Sequence, residues 1–556
     1  MRPSMLLLLA ALLQAAPPPA TETVTVTVMA TTDTHGALYP WDYFTRQAAP
    51  RGLAAAATLV AQVRRETPHT LLVDCGDTIQ GSPLESVHQA AVRAGKAPSP
   101  DPMMLAMNRM GYDAMVVGNH EFNFGLANLA AARETARFPW LSANTTGASP
   151  PFASYLVKTV AGVKVAIIGV TTAAIPQWEK PENVRGLSWL APEDAVRRAL
   201  EELERENPDV ILAAVHGGLD RDPATGERRP GEMPGENSVW QIAEKFPQLA
   251  AVVYGHTHRR EEGRRVGRVL LVQPRNFAMD VARIDLVLAR EAGGPWTLTG
   301  TSSRLLPVQP DTPADPEILE LARPYHEAAE LYLDQPVAES LAELSGARGR
   351  FEDSALVDAI HEVQMHYAGA EVSFSSLFNP RVRVPRGKVT ARELAALYVY
   401  DNELYAVEGN GRMVRDALEN AARYFRTCPE PTCARGPLVD RAVAGYNYDM
   451  AQGVGYEIDL TQPAGQRVKE LRYRGAPLRD EQPLRIALNN YRAAGSAGYS
   501  MFRDAKVVWR SGREIRDLMI EYFGTHRKLP ARPDGNWRLV PPRAALTLAL
   551  EEATPR

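Results

Sequence analysis

Eight side chains in the first half of the sequence have the types and placement to hold cations or move protons. They are Asp33 and His35 in TTDTHG, Asp77 in VDCGD, Asn119 and His120 in VGNHEFN, His216 in AAVHGG, and His256 and His258 in VVYGHTH. Each lies just past the carboxyl end of a short apolar run. Their donors are nitrogen and oxygen, with no thiolate among them. Such a set suits zinc, manganese, iron or cobalt in a working site better than a structural zinc. A single histidine at a strand end is more often a satisfied structural residue. Here five of the chain's eleven histidines gather at strand ends with Asp and Asn, which points to a metal centre.

The apolar runs are the elements that must position these groups. Residues 24–28 alternate Val and Thr with period two, a strand pattern. Residues 53–65 are Ala-rich and read as a helix, as do residues 103–110 after Pro-Asp-Pro. Further short apolar runs cover 71–73, 115–117, 163–170, 210–215 and 250–254. Short apolar runs between helices predict an α/β fold with largely buried strands. In open α/β sheets the carboxyl edge of the strands is where ligands bind.

The pattern changes near residue 311. Residues 311–340 read as a helical connector, with the helix over about 317–333, between a unit at 21–310 and a second α/β unit at 341–545. Within the second unit, residues 389–394 read as a strand end followed by a helix cap. The Arg-, Ala- and Pro-rich residues after Pro541, with a tail at 546–556, are expected to be loosely ordered.

Composition narrows the class. The chain has 556 residues, 45% hydrophobic and 23% charged, enough for more than one core. A net charge of −4 gives no basic excess for a nucleic-acid polymer, yet leaves room for a small anionic nucleotide in a local pocket. Arg2 followed by an apolar run at 5–13 and Pro17-Pro18-Pro19 reads as a signal peptide over residues 1–20, so a periplasmic or secreted location is expected. The run is too short to span a bilayer, and no membrane association is expected after processing. Of the three cysteines, Cys428 and Cys433 lie in CPEPTC, where export would permit a local bridge; Cys75 reads as a buried small residue.

The series D-x-H, G-D, G-N-H-E, H-x-G and G-H-x-H resembles the calcineurin-like metallophosphoesterases. YDNEL, GYNYDMAQGVGYEI, ALNNYRAAGSAGY and NWRL resemble the C-terminal domain of bacterial 5'-nucleotidases, most closely the 2',3'-cyclic-nucleotide 2'-phosphodiesterase/3'-nucleotidase branch. The resemblance implies a four-layer α/β/β/α domain followed by a smaller α/β nucleotide-binding domain. It also implies two divalent ions (manganese, zinc, cobalt or iron). Asp33, His35 and His258 would hold one, Asn119, His216 and His256 the other, and Asp77 would bridge them. A hydroxide shared by the two ions would attack phosphorus in line with the leaving oxygen, without a covalent intermediate. His120 would serve the leaving group as a catalytic residue. The 5'-nucleotidases orient this histidine with an Asp three residues later; this chain has Asn123, as the cyclic phosphodiesterase branch does. Asn can accept a hydrogen bond from imidazole but carries no charge.

In the second unit Tyr446 and Tyr491 match positions where the resembling proteins stack a base between two rings. Asn402, Arg381 and Arg383 are further candidates for substrate contacts, although LFNPRVRVPRG departs from the resembling Gly-rich form. Ala497 stands where 5'-nucleotidases place a ribose-binding Asp. The expectation is therefore an exported hydrolase of 2',3'-cyclic nucleotides and 3'-nucleotides, with a nucleotide as its partner and no obligate protein partner. The alternatives are a 5'-nucleotidase or nucleotide-sugar hydrolase, a thiosulfohydrolase, and a non-catalytic nucleotide-binding protein.

Overall fold

The strand Thr21–Thr31 shows how alternation builds the first half. Val26, Val28 and Ala30 turn to one side, and Met29 turns to the other. In the computed structural model, which describes residues 21–96, 100–147, 152–223, 225–228, 234–400 and 402–553, this strand pairs in parallel with Thr70–Asp74. Ala114–Val116 and Trp140–Leu141 continue the parallel run. On its other side lies antiparallel Asp280–Glu291, and then Thr297–Pro307. A second six-stranded sheet runs in the order Glu261–Val266, Val269–Gln273, Ala251–Tyr254, Val210–His216, Val163–Thr171, Tyr155–Val160.

The two sheets face each other. Val26, Val28, Leu71 and Val73 from the first share one core with Val163, Val165, Ile167, Leu212 and Ala214 from the second. The alternate residues Ala166, Ile168, Ala213 and Val215 face outward onto helices Pro192–Leu203 and Val239–Lys245. Helices Leu53–Glu66 and Pro102–Met110 cover the outer face of the first sheet. This is a four-layer α/β/β/α unit. Its central strands are parallel, so their carboxyl ends open at common edges.

Helix Pro316–Leu333 starts at Asp315, whose carboxylate accepts from the amides of Glu317 and Ile318. It buries Ile318, Ala322, Ala329 and Leu333 against the first half. Arg392 of the second half donates to Glu330 at 3.0 Å and Asp334 at 2.8 Å, so the connector is braced from both sides.

The second half has its own core beneath a five-stranded sheet ordered Asp449–Gln452, Val372–Ser376, Pro483–Asn489, Glu403–Asn410, Val507–Glu514. The strand-to-helix step expected at 389–394 appears as strand Gly387–Thr390 and helix Ala391–Leu397, joined by a capping box between Thr390 and Glu393. Cys428 and Cys433 are disulfide-bonded, and Cys75 is buried. One expectation is corrected. The residues after Pro541 form helix Arg543–Ala553, with Ala544 and Leu548 fully buried in the core and the Thr547 hydroxyl donating to the Cys433 carbonyl. The segment 1–20 read as a signal peptide lies outside the described residues. Among the described residues no helix is long and apolar enough to cross a membrane.

Candidate active site

The seven expected ligands come together. Asp33, His35 and His258 offer one ligand atom each within 4.8 Å of one another, and Asp77, His216 and His256 form a second such group. Asn119 joins the second group: its Oδ1 lies 3.1 Å from His216 Nε2, which lies 3.1 Å from Asp77 Oδ2. His35 Nε2 and His258 Nε2 face each other at 2.9 Å.

Local backbone geometry explains why these residues can converge. Asp33, His35, Asp77, His256 and His258 all have positive φ, from 48° to 71°, a left-handed conformation that non-glycine residues adopt at a cost. Glycines make the room. A Cβ on Gly118 would fall 2.2 Å from Asp77 Oδ1, and one on Gly255 would fall 1.8 Å from Thr32 Oγ1. Glu121, fully buried, accepts from the amides of Gly118, Asp77, Thr78 and Ile79 and so pins the turns that carry Asp77 and Asn119. Sequence reading quoted this Glu within its motif without giving it a task.

The imidazoles are prepared to accept a cation. His216 Nδ1 is 2.8 Å from the Cys75 carbonyl and His35 Nδ1 is 3.1 Å from the Gln80 carbonyl. A carbonyl only accepts, so each ring carries a hydrogen on Nδ1 and turns Nε2 inward; burial pushes His216 down but Asp77 more than reverses it, to about 10, so His216 Nε2 holds a proton toward Asp77 that a cation would displace. Burial pushes the carboxyls of Asp33 and Asp77 up, but neighbouring imidazoles more than reverse it. Asp33 is held at about 2 by His258, and Asp77 is held well below the usual range by His216 and His120. Burial and His258 bring His35 down to about 4. Converging acceptors of this kind repel one another unless a cation lies among them, so the donor set fits divalent metal.

His120 stands apart from both groups, with Nε2 4.0 Å from Asp77 Oδ2. Its Nδ1 is 2.6 Å from Asn123 Oδ1. Tyr491, on the short helix Asn490–Ala493 of the second half, reaches across to this corner. Its hydroxyl lies 3.3 Å from Asn119 Nδ2 and 3.4 Å from His120 Nε2. The Tyr491 ring stacks on Trp178 at 5.3 Å, and Trp178 stacks in turn on His256 at 5.5 Å. Tyr446 is 44% exposed and meets Tyr400 edge-on at 6.3 Å. The two tyrosines are coupled through Arg492, which donates to the Tyr446 carbonyl and pairs with buried Asp449 at 2.7 Å. Asn402 is buried and accepts from the Tyr398 hydroxyl. Arg381 and Arg383 are exposed, and Arg383 lies 3.6 Å from Glu343. No hydrogen bond among the described residues joins these three to the metal-ligand group. Trp178 was absent from the sequence reading and lies in no motif quoted there; Arg492 sits within ALNNYRAAGSAGY but was given no role of its own.

Fold and donor set define a metal-dependent phosphoesterase. Residues 26–260 match the calcineurin-like phosphoesterase family, and residues 334–504 match the 5'-nucleotidase C-terminal domain. The chain therefore combines a calcineurin-like phosphoesterase domain with a 5'-nucleotidase C-terminal domain. It is 29% identical to a 2',3'-cyclic-nucleotide 2'-phosphodiesterase/3'-nucleotidase of Haemophilus influenzae, over 93% of this chain and 88% of that one. It is 27% identical to a trifunctional nucleotide phosphoesterase of Bacillus subtilis, again over 93% of this chain but spanning only 39% of that protein's length. Among solved structures, a Staphylococcus aureus protein assigned to the 5'-nucleotidases, crystallised with alpha-ketoglutarate, is 26% identical. It superposes with a TM-score of 0.78 over 93% of this chain and all of that one.

Proposed function

We propose that this chain is an exported hydrolase of nucleotide phosphate esters, acting on 2',3'-cyclic nucleotides and 3'-nucleotides. The observation that carries this reading is the corner where His120, Asn123 and Tyr491 meet beside the two ligand groups. It combines groups for phosphoester cleavage with an aromatic ring from the nucleotide-domain half. Two divalent ions sharing Asp77 would supply a nucleophile at neutral pH and neutralise charge on the phosphoryl oxygens. The chain's own residues do the rest. His120 presents Nε2 toward the leaving oxygen and gives it a proton. Tyr446 and Tyr491 stack the base, which fixes the phosphate near Asp77. Asn123, in place of a carboxylate, and Ala497, in place of a ribose-binding Asp, support the 3'-directed branch. So does the likeness to the Haemophilus enzyme.

The test is phosphate release from 2',3'-cyclic AMP, 3'-AMP, 5'-AMP and UDP-glucose, with manganese, cobalt or zinc supplied. Turnover of the first two well above the others is expected; with the cyclic compound, phosphate appears after its 3'-nucleotide intermediate. Preference for 5'-AMP or UDP-glucose would move the reading to the 5'-nucleotidase alternative. No turnover with any ion would leave a nucleotide-binding protein.

A further inference from the structure

We infer that Glu179 is a positioning residue for His120, acting through Asn123. The inference rests on the proposed role of His120 at the leaving group. Replacing a carboxylate by an amide beside a histidine creates a problem that a carboxylate does not have. An amide has two unlike ends, and only its oxygen can accept from imidazole Nδ1–H. If the amide turned over, its NH2 would face Nδ1. That arrangement would set the NH2 hydrogens against the Nδ1 hydrogen, so the ring would lose the contact that fixes its orientation.

Glu179 prevents the turnover. It is 7% exposed and sits at the end of the short helix Ile175–Trp178, in the same turn as Trp178. Its Oε2 accepts from Asn123 Nδ2 at 2.6 Å, so Asn123 Oδ1 is left facing His120 Nδ1, also at 2.6 Å. The other oxygen, Oε1, accepts from the Lys180 amide at 2.7 Å and from Asn183 Nδ2 at 2.9 Å. Every one of these neighbours is a donor, so the group they surround is acceptor-only, as an ionised carboxylate is. Asn183 Nδ2 also donates to the Asn123 carbonyl at 3.0 Å, fixing the backbone of the residue whose side chain must not turn. The chain from Glu179 to His120 is therefore a directed row of hydrogen bonds that leaves Nε2, beside the Tyr491 hydroxyl, as the nitrogen turned toward the ligand groups. In the reaction the bond from phosphorus to the leaving oxygen breaks, the Nε2 proton goes to that oxygen, and the neutral ring left behind keeps its hydrogen on Nδ1. That is the tautomer Asn123 Oδ1 accepts from.

The experiment compares kcat, KM and bound metal for 3'-AMP hydrolysis by the metal-loaded full chain. Variants are Glu179→Ala, Asn123→Asp, the two combined, and His120→Ala, with melting temperature recorded for each. In the parent, Glu179→Ala should lower kcat by roughly tenfold, the scale seen when a partner orienting a functional imidazole is lost, with KM and two-metal content unchanged. In the Asn123→Asp background the sign should reverse. A carboxylate has no end to turn, and there it faces Glu179 as a like charge, so Glu179→Ala should raise kcat or leave it alone. Equal losses in both backgrounds would show that Glu179 acts through folding and would overturn the inference. So would an unchanged kcat for Glu179→Ala in the parent alongside a large loss for His120→Ala. An unchanged kcat for His120→Ala would instead bring down the reading of the site itself, and the inference with it.

Discussion

Asp77 is the carboxylate proposed to join the two ligand groups, and it is the residue whose loss should be felt most. It lies 3.1 Å from His216 and within 4.0 Å of His120, in a setting that keeps its carboxyl ionised. Removing divalent ions with a chelator should abolish phosphate release, and manganese, cobalt or zinc should restore it. On that proposal Asp77→Asn should depress turnover and metal content further than His256→Ala or His258→Ala, because both groups would lose a shared charge. Metal analysis beside phosphate release checks this; full activity after exhaustive chelation would contradict it. The convergence of the candidate ligands was legible in sequence because each strand end carries a short signature of Gly with His, Asp or Asn. Glu179 and Trp178 were not. The contact from Asn123 to Glu179 joins residues 56 apart, and IPQWEKPEN has no periodicity or metal-type spacing to mark it. Packing brings them to the site, and single-chain spacing carries no record of that packing.

At the scale of elements, alternation in the strands and the runs between them showed the α/β layering, since period-two burial writes itself into the order of residues. The last helix was missed because Pro541-Pro542 reads as the end of ordered chain, although the Ala-rich run that follows favours a helix. Its burial is decided by partners far upstream. Helix Ala355–Ala368 holds another consequence of packing. Asp358 on that helix lies with Asp353 and Asp534, and burial, then those two carboxylates, raises its carboxyl to about 7. A folded-state value above the ordinary 3.8 means the fold favours the protonated form. Stability from this group is fully present below about pH 4 and is lost as pH rises toward 7. Asp358→Asn keeps an acceptor for the Asp534 amide and removes the charge. It should raise the melting temperature at pH 8 and leave it nearly unchanged at pH 4, as thermal denaturation across that range will show. An equal shift at both pH values would mean that ionisation of Asp358 is not the cause.

Across the whole molecule, the candidate metal ligands belong to the first half and the candidate base-stacking rings to the second. On the proposed function a nucleotide would therefore engage both halves, whereas an aryl phosphodiester would need only the first. Tyr446→Ala with Tyr491→Ala should cost a nucleotide several kcal/mol in kcat/KM, on the order of two stacking contacts at about 1–3 kcal/mol each. Tyr446→Ala alone, which leaves the Tyr491 hydroxyl beside Asn119 and His120, should scarcely alter hydrolysis of bis-p-nitrophenyl phosphate. Equal losses from Tyr446→Ala on both substrates would place that tyrosine in folding rather than in recognition. The stack of Tyr491 on Trp178, and of Trp178 on His256, has an optical meaning as well. An indole held between a tyrosine that belongs to one half and a histidine that belongs to the metal group is a fluorophore placed at the junction of both. Its emission senses the ring on either side. Among the chain's eight tryptophans this indole is one that entry of a base against Tyr491, or arrival of a cation at His256, would disturb directly, so its share of the emission would register both events.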